Sequence, residues 1–225
     1  MIQLNISFII IIIIINLILV YQRRKRQKFL ADSYYQMRLE QLACLPSPEQ
    51  GIVFLGDSLT QMGEWSEFFP NLLIQNRGIG GDTTTGLLKR LDVITKNNPS
   101  QIFLMIGIND ICLEKKSSEE ILANYRAILE YLSTYYQIKV YIQSILPVNQ
   151  LGVKPFQQVN QQIIFINQEL AKLAQEFNYH YINLFSYFVD ANNQLNEQYT
   201  LDGIHLTGKG YLLWLKIIYS YIIRE

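Results

Sequence analysis

Residues 51–61 read GIVFLGDSLTQ, an apolar run that ends in a glycine, an acid and a serine. The run is typical of a short strand buried on both faces, because it is apolar without alternation. Four similar runs follow, at 72–78, 101–107, 139–145 and 179–184. Helical patterns lie between or after them, at 84–95, 117–136, 159–177 and 207–223. Strands that alternate with helices predict an α/β domain with a parallel five-stranded sheet covered on both faces.

Polar, glycine-bearing loops follow these strands. Asp57 and Ser58 follow the first strand, GIGGDTTTG (78–86) the second, and GIND (107–110) the third. The stretch LDGIHLTGKG (201–210) lies beyond the fifth strand. Ligands of open parallel sheets bind outside the carboxyl ends of the strands. The sequence therefore predicts that these four loops converge on one site.

The loop GIGGDTTTG does not fit the known phosphate-binding patterns. The dinucleotide fingerprint requires a third glycine where Thr83 stands, and a P-loop requires a lysine where Leu87 stands. Two interpretations remain. The loop either exposes a backbone N–H that suits an oxyanion, or it is a glycine-rich turn without a chemical role.

The other loops also have a chemical and a structural interpretation. Ser58 is either a nucleophile or a helix N-cap, and Thr60 replaces the last glycine of the G-x-S-x-G elbow. Asn109 can donate to an oxyanion or form a turn. Asp202 stands three residues before His205, so its carboxylate can orient the imidazole. The alternatives are that the two form a surface pair or that Asp202 caps a turn. His180 lies in a strand pattern without a nearby acid, which indicates a structural role.

Composition excludes several function classes. The chain has 225 residues, and its two cysteines and two histidines argue against a disulfide scaffold and a histidine-rich metal centre. Residues 1–28 carry five basic residues and no acid, which leaves 14 basic and 19 acidic residues in the remainder. A domain with a charge of about −5 is a poor match for nucleic acid.

The N-terminal segment is strongly apolar. Leu4 to Tyr21 reads LNISFIIIIIIINLILVY, which as a helix is about 27 Å long and predicts a single transmembrane anchor. A cleaved signal peptide is the alternative, but the basic residues follow the apolar run here. The positive-inside rule then predicts a cytoplasmic location for the rest of the chain. We expect an anchor with its basic flank at 1–28, a linker helix at 29–50 and the α/β domain at 51–225.

The four loops together resemble the four sequence blocks of the SGNH hydrolases, the GDSL-type esterase/lipase family. The segments that carry the resemblance are FLGDSLTQ, NRGIGGDTTTGLLKRL, IGIND and LDGIHLTGKGY. They are most similar to the platelet-activating-factor acetylhydrolase-like members. The resemblance implies a flavodoxin-like, three-layer α/β/α sandwich over residues 51–223.

By position, the resemblance implies that Ser58 is the nucleophile, His205 the general base and Asp202 its orienting acid. It implies an oxyanion hole made of the backbone N–H groups of Ser58 and Gly81 and the side-chain amide of Asn109. Ile108 stands where the family often has threonine, which removes a hydroxyl from that loop.

The implied activity is that of a serine esterase without metal or organic cofactor. Its expected partners are a small-molecule or lipid ester, such as a small-acyl, acetyl or lysophospholipid substrate, and a membrane. The alternative is a non-catalytic, membrane-anchored binding module on the same scaffold.

Overall fold

The computed structural model describes residues 2–46 and 49–223, with side chains from residue 8 onward. The chain divides into two compact units, Met1–Cys44 and Leu45–Glu225. The first unit holds helix α1, Ile2–Cys44. The apolar side chains of α1 between Phe8 and Tyr21 are exposed.

The predicted transmembrane helix is not supported. Among the helices of the described residues, none is long and apolar enough to cross a membrane. Of the predicted span, Leu4 to Tyr21, the first four side chains lie outside the described part of the chain. Basic residues begin at Arg23.

The second unit contains a five-stranded sheet in the order β2-β1-β3-β4-β5, and every pairing is parallel. Its strands are β1 Ile52–Gly56, β2 Ile74–Gly78, β3 Gln101–Met105, β4 Lys139–Gln143 and β5 His180–Ile182. The predicted α/β fold with a parallel five-stranded sheet is therefore confirmed. Each strand falls within its predicted run, and the central strands β1 and β3 are buried along their whole length, as expected for strands covered on both faces.

Helices connect the strands. In chain order they are α2 Ser58–Gln61, α3 Trp65–Phe68, α4 Thr84–Leu88, α5 Leu91–Thr95, α6 Ile108–Cys112, α7 Ser118–Ser133, α8 Phe156–Glu176, α9 Phe185–Phe188 and α10 Gly208–Ile223. A capping box of Ser117 and Glu120 opens α7. The prediction of a single helix at 84–95 is wrong, because Lys89 and Arg90 lie outside helical structure and separate α4 from α5.

Successive residues of β1, β3 and β4 point into two separate cores. One core packs Val53, Leu55 and their equivalents on β3 and β4 against α7 and α8. The other packs Phe54 and Phe103 against Trp65 and α10. In this second core a row of rings crosses four paired strands, with centroid separations of 5.1 Å for Phe54–Phe103, 4.5 Å for Phe103–Tyr141 and 5.1 Å for Tyr141–His180. Stacked aromatic pairs stabilise the pairing of neighbouring strands and thereby the position at which β1 ends.

Candidate active site

Ser58 is the first residue of α2, directly after the carboxyl end of β1. The buried Asp57 caps this helix, since its carboxylate accepts a hydrogen bond of 2.9 Å from the Leu59 N–H. A side chain at Gly56 would overlap the Met105 carbonyl and the Thr60 side chain. The tight turn therefore requires glycine, and it leaves Ser58 half-buried at the sheet edge.

Three of the predicted site residues form a continuous hydrogen-bonded row. The Ser58 Oγ lies 2.9 Å from the His205 Nε2. The His205 Nδ1 lies 2.6 Å from the Asp202 Oδ2. The turn from Asp202 to His205 fixes these two side chains, because the Asp202 Oδ1 accepts hydrogen bonds from the backbone N–H groups of Ile204 and His205 at 2.9 and 2.8 Å.

Asp202 remains ionised although it is partly desolvated. Burial raises the pKa of this carboxyl, but hydrogen bonds from the His205 ring and from the backbone of Ile204 and His205 outweigh burial and lower the pKa to about 2. The side chains of His205 and Asp202 are 35% and 56% exposed. The row can therefore exchange protons with solvent.

The predicted oxyanion donors lie on separate loops of the same sheet edge. Gly81 is exposed and has a φ of 79°, and no atom lies within 4 Å of the position of a Cβ there. The amide of Asn109 donates one N–H to the Asp82 carbonyl at 2.9 Å. Since an amide nitrogen carries two N–H donors, the other remains for a ligand.

A buried arginine stands behind these loops, and sequence reasoning missed it. Arg90 and Asp82 form an ion pair with 2.7 Å between Nη2 and Oδ2, and their side chains are 2% and 0% exposed. A signal existed in the sequence. Arg90 occupies a position of the apolar stripe formed by Leu87, Leu91 and Ile94, where an exposed arginine is not expected.

Asp110 belongs to a second buried network. The sequence suggests a turn or cap residue, but its carboxylate accepts hydrogen bonds from the Thr84 backbone N–H at 2.9 Å, the Thr84 hydroxyl at 2.6 Å and the Lys116 Nζ at 2.8 Å. These bonds join the start of α4 to α6. They fix Asn109, the neighbour of Asp110, relative to the Gly81 loop.

Among the ion pairs of the described residues, none includes the Asp57 carboxylate. Burial, followed by repulsion from Asp82 and Asp110, raises the pKa of its carboxyl to about 7, although the hydrogen bond from Leu59 opposes this shift. His180 lies on β5 and stacks on Tyr141, as expected for a residue with a structural role.

Comparison with known proteins identifies the fold and the family. The chain matches the GDSL-like Lipase/Acylhydrolase family over residues 54–213. The chain belongs to this family. It is a carboxylic ester hydrolase, as the SGNH resemblance predicts.

Individual relatives of this GDSL-like hydrolase cover most of its length. The platelet-activating factor acetylhydrolase IB subunit alpha2 of Homo sapiens is 29% identical over 184 residues, which are 78% of this chain and 77% of the relative. The alpha1 subunit of Homo sapiens is 27% identical over 183 residues, with coverages of 78% and 77%. A solved GDSL-like lipase from Bacteroides thetaiotaomicron is 26% identical and superposes with a TM-score of 0.72. The superposition covers 84% of this chain and 96% of the lipase.

Proposed function

We propose that this hydrolase is a serine esterase that cleaves carboxylic esters through Ser58, His205 and Asp202. The observation that carries the proposal is the row of hydrogen bonds from Ser58 through His205 to Asp202, at 2.9 and 2.6 Å. A serine hydroxyl is a weak nucleophile unless a base accepts its proton and a third group orients that base. The row meets these requirements.

In the acylation step, the Ser58 Oγ attacks the carbonyl carbon of the ester while its proton passes to the His205 Nε2. The carbonyl oxygen becomes an oxyanion, which accepts hydrogen bonds from the backbone N–H groups of Ser58 and Gly81 and from the Asn109 amide. Asp202 stabilises the imidazolium. The tetrahedral intermediate then breaks its bond to the alkoxy oxygen, and the alcohol leaves with the proton from His205.

In the deacylation step, a water molecule gives a proton to His205 and attacks the acyl carbon of the Ser58 ester. The second tetrahedral intermediate uses the same oxyanion donors. Its collapse breaks the bond to the Ser58 Oγ, which recovers its proton from His205, and the carboxylic acid is released. Each step balances without a metal or a redox partner.

For the substrate, we propose an ester with a small acyl group, such as an acetyl ester or an acetylated lysophospholipid. The support comes from the relatives, which are named platelet-activating factor acetylhydrolase subunits. Initial rates with p-nitrophenyl acetate, butyrate, octanoate and palmitate test the acyl preference. A maximum at the longest chain would contradict it.

The full-length protein in a mild detergent tests the serine mechanism. We expect hydrolysis of p-nitrophenyl acetate, and Ser58→Ala should lower kcat by at least about 10⁴-fold. Ser186→Ala is a matched control, because this exposed hydroxyl bonds only locally, to the Asn183 carbonyl. Equal rates for the wild type and Ser58→Ala would overturn the proposal.

We propose a membrane-associated location separately. The exposed apolar run from Phe8 to Tyr21 supports attachment to lipid, and the basic residues from Arg23 to Lys28 favour the anionic cytoplasmic leaflet. Flotation of the protein with sealed vesicles tests the attachment. Protease protection in vesicles of known orientation tests the side, and full protection of the domain in right-side-out vesicles is expected.

A further inference from the structure

We infer that the buried Arg90–Asp82 pair is a positioning unit that holds the three oxyanion donors in one arrangement. The inference rests on the proposed function, because it assigns the pair to the oxyanion hole of that reaction. Neither side chain is placed to touch substrate, since their exposed fractions are 2% and 0%. Their effect on the reaction therefore passes through other groups.

The Arg90 guanidinium joins three chain segments. Its Nη1 donates to the Arg77 carbonyl at 2.8 Å, near the end of β2. Its Nη2 donates to the Gly56 carbonyl at 3.0 Å, two residues before Ser58. Its Nε donates to the Asp82 Oδ2 at 2.8 Å. One planar group thus links the nucleophile turn to the oxyanion loop, and only the rigid fork of arginine offers donors in these directions.

Asp82 connects the other two donors. Gly81 directly precedes it, so the orientation of Asp82 fixes the peptide plane next to the Gly81 N–H. Its main-chain carbonyl accepts the Asn109 amide at 2.9 Å. Its Oδ1 accepts the Thr83 N–H at 2.9 Å, and its own N–H donates to the Ile79 carbonyl at 3.1 Å. Gly81 is therefore one residue from the pair and Asn109 is one hydrogen bond from it. Ser58 lies two residues beyond the Gly56 carbonyl that Arg90 binds.

A stability role explains such a pair poorly. Desolvation of two buried charges cancels most of their attraction, and well-packed apolar residues often replace a buried pair without loss. Catalysis by preorganised donors has stricter needs, because a misplacement of about 1 Å can cost about 10²-fold in rate. The hydrogen bonds of the Arg90–Asp82 pair restrict the positions of these donors in the way that catalysis requires.

The first test compares Arg90→Lys with the wild type in p-nitrophenyl acetate hydrolysis. Lysine keeps the charge beside Asp82 but cannot reach all three oxygens. End-point labelling of Ser58 by a fluorophosphonate counts the folded, reactive sites, and kcat is expressed per labelled site. We expect kcat to fall about 10- to 100-fold with little change in KM. Unchanged kcat per labelled site would overturn the inference.

Two further variants serve as comparisons. Arg90→Met combined with Asp82→Asn removes both charges together and should lower kcat per site at least as far as Arg90→Lys. If this double variant does not fold, Arg90→Lys decides alone. The matched control is Arg126→Met combined with Glu176→Gln, which removes an exposed ion pair joined by two hydrogen bonds between α7 and the end of α8. We expect wild-type kcat from this control.

A double-mutant cycle separates positioning from general structural damage. Arg90→Lys is measured in the wild-type and in the Asn109→Ala background. If Arg90 acts through the oxyanion hole, part of its effect is already lost in Asn109→Ala, and the two losses combine to less than their product. Losses that multiply fully would overturn the inference and leave the proposed function intact. An inactive wild type would overturn both.

Discussion

The two sides of the proposed catalytic centre are built in opposite ways. His205 and Asp202 lie on a surface turn and remain 35% and 56% exposed, whereas the Arg90–Asp82 pair behind the oxyanion donors is almost completely buried. The base must exchange protons with substrate and water, so it needs orientation together with access. The donors must already point at the oxyanion when charge develops, so their support is buried and densely hydrogen-bonded. Substitutions on the exposed side should therefore reduce activity alone, and those on the buried side should change stability too.

Among the variants that test this comparison, Asp202→Asn should have the largest effect. Asparagine cannot stabilise the imidazolium, and we expect kcat/KM to fall by about 10³- to 10⁴-fold. Because the side chain is 56% exposed, the free energy of unfolding should change by less than about 1 kcal/mol. Urea titration and ester hydrolysis measure the two quantities. Asp190→Asn is the matched control, since Asp190 also accepts two backbone N–H groups in a turn but has no histidine partner. A large loss of stability in Asp202→Asn would break the comparison.

Asn109→Ala should have the next largest effect. It removes one oxyanion donor, and we expect kcat to fall about 10²- to 10³-fold with little change in KM. The variant also removes the bond to the Asp82 carbonyl, so a stability loss of about 1 kcal/mol should accompany it. Asn183→Ala serves as the control, because the Asn183 side chain is exposed and accepts a hydrogen bond from the nearby Ser186 N–H. A rise in KM at constant kcat would contradict the assigned role.

Asp57→Asn tests the buried side of the comparison through the pH dependence of the free energy of unfolding. Since the pKa of Asp57 is raised from 3.8 to about 7 in the folded state, the carboxyl is favourable when protonated, and its contribution is lost as pH rises from about 4 to 7. Asparagine keeps the cap acceptor without this penalty. The variant should therefore gain stability relative to the wild type between pH 5 and pH 8, by at most about 4 kcal/mol. Urea midpoints at both pH values measure the gain, and identical pH profiles would contradict it.

The smallest effect is expected for Gly81→Ala. A Cβ would meet no atom within 4 Å, so the cost arises only from the φ of 79° and should be about 1–2 kcal/mol of unfolding free energy. The substitution should reorient the backbone N–H of residue 81, and we expect this to lower kcat less than Asn109→Ala does. Gly208→Ala is the control, because it has equal space without a positive φ and opens α10. Equal thermal midpoints for the two variants would argue against strain at Gly81.

The same contrast explains what the sequence could predict. The central strands were predictable because burial on both faces leaves an apolar run, and the site loops because parallel strands end at one edge. The sequence also placed Ser58, Asp202 and His205 together, although their roles remain predictions. Arg90 and Asp110 were missed because their partners lie up to 34 and 26 residues away. The only local signal was the place of Arg90 in an apolar stripe, and nothing nearby in the sequence separates the Asp110 carboxylate from a solvated one.

The long sequence separations within the site have a consequence for biosynthesis. Ser58 and His205 are 147 residues apart, and the hydroxyl of Tyr211 on α10 donates to the Leu59 carbonyl across 152 residues. Closing such long loops is costly until most of the remaining fold exists. A nascent chain that still lacks α10 therefore has neither the proposed base His205 in place nor the support that Tyr211 gives to α2. We expect esterase activity only after α10 has emerged from the ribosome and docked.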